Sequence, residues 1–164
     1  MPVNRKLNIT VTFSAQEATD GSFGGGATYT QTGSTPDMGN IVKTNGEIDL
    51  DQALSYDTSA YNNNVDIEFT LATPCTVTPG NTTIPIIWAT QYGAGMTVEI
   101  PEGSHGTLGE MEVVKDPNNP NLITLKDKDD DSNTYNYKPA VELVRPNVNN
   151  YYISLDPKIV NRPT

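Results

Sequence analysis

Leu7-Asn8-Ile9-Thr10-Val11-Thr12-Phe13 places Leu7, Ile9, Val11 and Phe13 on one face of an extended chain and Asn8, Thr10 and Thr12 on the other. A period of two marks a strand with one buried face, because successive side chains leave opposite sides of the pleat. Similar short runs follow at 41–42, 65–71, 83–89, 96–100, 111–114, 122–125, 134–138, 140–144 and 151–155. Pro and Gly, twelve and thirteen of them, break nearly every long window, and good helix formers never accumulate. Only 49–57 tolerates a short helical turn. About nine or ten short strands, with turns every ~8–12 residues, predict an all-β chain folded as a single antiparallel β-sandwich over residues 1–164.

Composition narrows the function. The 164 residues suit one domain, and 20 acidic against 10 basic side chains give a net charge of −10. Without a Lys/Arg cluster, neither a nucleic acid nor an anionic membrane surface is the expected partner. No run of ~18 apolar residues predicts a membrane span. One His and one Cys remove the common zinc sites, most Ser-His-Asp triads and any intrachain disulfide. No cofactor and no metal is expected. The first residues carry no secretory pattern, so the expected location is the cytoplasm.

The loops read mostly as turns. Gly21-Ser22-Phe23-Gly24-Gly25-Gly26 is read as a flexible turn lacking a phosphate-binding pattern. Asn45-Gly46 is a tight-turn dipeptide. Residues 126–133 read as an acidic hairpin turn in which Asp127, Asp129, Asp131 and Asn133 have the spacing of calcium ligands. An EF-hand needs Gly at loop position six and Glu at twelve; Ser132 and Lys138 stand there, which favours a solvated turn over a weak cation site. His105, near Glu102 in a Gly-rich loop, reads as exposed. Cys75 lacks the basic neighbour that would activate a thiol. Trp88, Tyr92, Tyr135, Tyr137, Tyr151 and Tyr152 suit a sandwich core better than a sugar platform.

The C-terminal stretch is different. A strand runs to Leu155, Asp156-Pro157 interrupts it, and Ile159-Val160 follows as a short apolar tail that suits an edge strand. Aspartyl–prolyl bonds are labile for a chemical reason. The Asp carboxylate attacks its own main-chain carbonyl to form a five-membered anhydride, and the tertiary amide releases a basic secondary amine. Intramolecular placement of this kind contributes ~7–11 kcal/mol. The chain contains a control, because Asp116-Pro117 repeats the dipeptide in what reads as an ordinary hairpin loop.

Leu155-Asp156-Pro157-Lys158-Ile159-Val160-Asn161-Arg162-Pro163 resembles the closing motif of the DP-EP family, small bacterial β-sandwich proteins. The resemblance implies self-cleavage at Asp156–Pro157, self-assembly, and an amide between the freed Asp carboxyl and a Lys. No Glu-Pro pair accompanies it: Glu142 is separated from Pro146, and Pro101-Glu102 is reversed. For the amine, Lys138 at the end of a strand is favoured over Lys126, Lys128 and Lys158. The family also implies a water-activating Asp in the first half of the chain with a Tyr beside it. Asp66, Asp57 with Tyr56, and Asp37 are the candidates, and the sequence does not choose among them. Residues 157–164 are then a C-terminal strand that is cut yet stays bound. The alternatives are a non-enzymatic structural or assembly module, a homo-oligomer formed by edge-strand pairing, and a carbohydrate- or cation-binding sandwich.

Overall fold

The computed structural model describes residues 1–90, 95–100, 108–129, 131, 133–155 and 157–160, apart from the side chains of Leu108 and Lys158. Among the described residues twelve strands follow in order: β1 (Val3–Glu17), β2 (Phe23–Thr35), β3 (Ile48–Asp49), β4 (Tyr61–Leu71), β5 (Thr76–Val77), β6 (Ile84–Trp88), β7 (Met96–Glu99), β8 (Met111–Lys115), β9 (Leu122–Asp127), β10 (Thr134–Leu143), β11 (Tyr151–Ser154) and β12 (Lys158–Val160). The turn expected within 49–57 is a 3-10 turn at Leu50–Gln52. Among the described residues, no helix is long and apolar enough to cross a membrane.

The strands form a β-sandwich of two sheets. One has the order β2-β1-β4-β9-β8. The other is built on β10. Its first half lies between β12 and β7, its second half between β11 and β6, and β3 and β5 flank the outside. Alternation supplies the core. Leu7, Ile9 and Val11 of β1 and Val65, Ile67 and Phe69 of β4 meet Trp88, Tyr137, Val141 and Ile159 of the facing sheet in one apolar cluster. Phe69 and Tyr137 bring their ring centroids to 5.3 Å across the gap. The buried Trp88 indole donates to the Asn121 carbonyl at 2.9 Å, so its one polar atom is satisfied.

Four sequence expectations change. The sandwich is not antiparallel throughout, because β1 pairs with β4 and β12 with β3 in parallel. Parallel neighbours need a long crossover. Here the chain leaves β2, visits the other sheet at β3 and returns beside β1. Second, Phe23–Gly26 is strand, not flexible turn, and pairs with Ser14–Glu17. A Cβ on Gly25 would lie 2.7 Å from Phe13 Cζ, so the bare glycine is what lets that ring lie flat on the neighbouring strand. Third, β9 and β10 do not form a hairpin; they belong to different sheets. Fourth, β12 is an interior strand between β10 and β3, not an edge.

Candidate functional site

Asp156 itself lies outside the described residues, as do Tyr92, Glu102, His105 and Ser132. The backbone on both sides of it pairs with β10. Toward the C-terminus, Asn136 pairs with Lys158. Toward the N-terminus, Ala140 pairs with Ser154. The two arms keep one antiparallel register along β10. Nearest to position 156 in sequence, the Tyr137 N–H donates to the Pro157 carbonyl at 3.1 Å and the Leu155 N–H donates to the Pro139 carbonyl at 2.8 Å. Lys138 is the β10 residue between these two bonded pairs.

Pro157 is buried, and its ring is packed rather than solvated. Gly46, with φ +92°, stands directly against it: a Cβ there would fall 2.8 Å from Pro157 Cβ and 2.8 Å from Tyr29 Cε1. Only glycine holds that conformation easily and leaves that space. The Asn45-Gly46 turn is fixed by Gly46 N–H to Lys43 O at 2.9 Å and by Glu47 N–H to the Asn45 side chain at 3.0 Å. The Tyr137 hydroxyl donates to the Gly46 carbonyl. Tyr29 packs edge-on against Tyr137, and its own hydroxyl is buried with no hydrogen-bond partner among the described residues. Burial pushes the Tyr29 phenol up, and burial together with the neighbouring Tyr29 pushes Tyr137 up, so both stay protonated at neutral pH.

Lys138 points the other way, to the outer face, because its neighbours Tyr137 and Pro139 face the core. Its Nζ lies 2.8 Å from Glu99 Oε2 of β7. It borders a shallow depression of about 170 Å³ lined by Thr97, Ala140, Tyr152, Ile153 and Ser154. Of the sequence-derived candidates, then, Pro157 and Lys138 share one strand pair.

The other candidates stand elsewhere. Asp66 is on the outer face of the first sheet, with Val65, Ile67 and Phe69 pointing inward, and accepts from Asn4 Nδ2 at 3.2 Å. A sandwich is ~10 Å thick between sheets, so this carboxylate is across the core from β12. Asp57 is exposed and accepts from the Ser59 N–H at 2.9 Å and the Ser59 hydroxyl at 2.7 Å; those two bonds hold its carboxyl below the usual range. Tyr56 donates to the Asn63 side chain at 2.6 Å, beneath the Arg5 guanidinium. Because β3 runs parallel to β12, with Ile48 beside Ile159 and Asp49 beside Val160, the chain continuing toward Tyr56 and Asp57 leads away from Pro157. Asp37 caps its own turn through the Gly39 N–H at 2.9 Å. Lys126 and Lys128 are exposed beside the first sheet.

Nor is the acidic loop a solvated turn. Asp129 is fully buried and bridges to Arg5 at 2.7 Å; Asp127 accepts the Asp129 N–H at 2.8 Å; the Tyr135 hydroxyl donates to Asp131. Arg5 is the internal cation that pairs with this segment. Among the described residues, no group of three or more His, Cys, Asp or Glu side chains is arranged to hold a metal ion. Trp88, Tyr135 and Tyr137 are core residues, and Cys75 is a buried thiol that burial pushes up.

Sequence reasoning missed Tyr29, Glu99 and the contact made by Gly46. The turn at Asn45-Gly46 was legible, but what packs against it depends on pairing remote in sequence. No protein-family model matches the chain, and no curated protein matches it.

Proposed function

We propose that this chain hydrolyses its own Asp156–Pro157 bond, in keeping with the resemblance of its last residues to the DP-EP proteins, and that Lys138 captures the freed carboxyl group as an amide. One observation carries this reading: β11 and β12 keep the same register on β10, with bonded pairs at Tyr137/Pro157 and Pro139/Leu155. Lys138 is the β10 residue between these two pairs, one position from each, and is thus the Lys that β10 brings next to the residues flanking the proposed cut. The Pro157 ring, seated on Gly46 and Tyr29, fixes the leaving group.

In this reading the Asp156 carboxylate adds to its own main-chain carbonyl carbon. The carbon–nitrogen bond then breaks, the prolyl nitrogen takes a proton, and a cyclic anhydride remains. Tyr29, whose ring stands with Pro157 against Gly46, is the proton donor we assign to that nitrogen. Water opens the anhydride to two carboxylic acids. Alternatively the neutral Lys138 amine adds, forming an amide and freeing one carboxyl, while Glu99 takes the ammonium proton.

Intact mass under denaturing conditions tests the scheme. The expected wild-type products are residues 1–156 and 157–164, the larger fragment lighter by one water where the amide has formed. Lys138→Arg is expected to give only the hydrolysed fragment. A persistent 17.8 kDa species after long incubation overturns the reading.

A further inference from the structure

Resting on that reading, we infer that the channel filled by β12 is a peptide-binding slot, and that after the cut it accepts the C-terminal segment of a second copy of this chain. A terminal strand is ordinarily expendable when it lies at a sheet edge. This one is interior: it bonds to β10 on one side through Thr134/Val160, Tyr135/Ile159 and Asn136/Lys158, and to β3 on the other through Ile48/Ile159 and Asp49/Val160. Its Ile159 is fully buried in the core, and its Pro157 fills the pocket made by Gly46, Tyr29 and Tyr137. The slot therefore offers two rows of backbone partners and two side-chain pockets at alternate positions, which is how a sheet recognises an added strand.

While the link at 156–157 is whole, the strand is tethered and its effective concentration at the slot is millimolar or higher. Once the link is broken, the same contacts belong to a separate peptide that must itself supply the entropy of association. A strand held by so few ladder pairs exchanges. The segment best matched to the vacated slot is the identical segment of another copy, since both pockets are already shaped to Pro157 and Ile159.

The probe is a fluorescent synthetic peptide of residues 157–164, added in excess to the full chain after denaturing mass has established its cut state. The cut protein is expected to take up the peptide, seen as raised anisotropy and as exchange in native mass spectrometry, while intact Asp156→Ala protein does not. A peptide carrying Ile159→Asp is expected to bind at least about tenfold more weakly. If the cut protein keeps its original strand against excess peptide, or if the uncut protein binds the peptide equally well, the slot proposal falls and self-cleavage stands. If the wild type never cuts, self-cleavage falls. The slot is then tested by replacing Asp156 in the full chain with the recognition sequence of a site-specific protease, nicking the folded protein and adding the same peptide; uptake supports the slot and its absence overturns it.

Discussion

The chain carries the same dipeptide twice, and the two copies meet opposite environments. Asp116-Pro117 sits in the turn between β8 and β9, where Pro117 is exposed and the Asp116 carboxylate accepts the Asn118 N–H at 2.8 Å. That carboxylate is committed to the backbone ahead of it, and the proline ring stands in solvent. Pro157 is buried, its carbonyl is bonded to the Tyr137 N–H, and its ring is fixed against a glycine that has no room for a methyl group. The two prolines thus differ in what surrounds them: Pro117 stands in an exposed turn, and Pro157 leads into a strand enclosed between β10 and β3.

The largest expected difference comes from the two aspartates. Asp156→Ala abolishes the cut completely, and Asp116→Ala leaves it unchanged, both read by denaturing mass. A cut lost in the Asp116 variant would reverse the comparison. Next comes Tyr29→Phe. It deletes a buried hydroxyl that has no partner among the described residues, so stability in urea is expected to stay level or rise by up to ~1 kcal/mol. Loss of a general acid, by contrast, slows the cut ~10²-fold or more. Unchanged cutting would remove Tyr29 from the chemistry and leave it a packing residue.

Gly46→Ala sharpens the same contrast more gently. A methyl group there overlaps both rings in a left-handed backbone, which destabilises the fold by about 2–4 kcal/mol and slows the cut roughly tenfold by displacing Pro157. Gly24→Ala, which meets nothing within 4 Å, is expected to change stability by no more than ~0.5 kcal/mol in the same urea titration.

The smallest effect concerns Glu142, which anchors the other half of β10. Burial pushes its carboxyl up, but bonds from the Thr90 N–H and hydroxyl, from Asn150 and from Tyr152 outweigh that and hold it below the usual glutamate value. A lowered folded value means that the ionised form stabilises the fold above the ordinary pKa of about 4.3, and that this contribution disappears as pH falls through the lower folded value. Wild type is expected to lose urea resistance over that acidic window, and Glu142→Gln to show a flatter profile there.

Strand positions were legible wherever one face is apolar, as at Leu7–Phe13 and Val65–Leu71, because the period of two is a local property. The outward direction of Asp66 followed from the same alternation. Arg5 was not legible as a core residue. Its place is explained by Asp129 and the Asn63 carbonyl, both remote in sequence, and the bond to Asp129 also turns a string of acidic ligand types into a buried ion pair. The glycines of 24–26 looked like a loop because they have no side chains to alternate; pairing with Ser14–Gln16 makes them strand.

By itself the sequence determined an all-β chain, a buried apolar stripe along each main strand, and an Asp-Pro interruption before a short apolar tail. Each of these is set by neighbours within a few residues. Only the tertiary structure decided that the tail is enclosed between β10 and β3, that Gly46 and Tyr29 close on Pro157, that Lys138 occupies the gap between two bonded pairs, and that Asp66 faces solvent across the core. Those relations join residues far apart in the chain, and they are fixed by which strands pair and in what register, for which no local pattern carries the information.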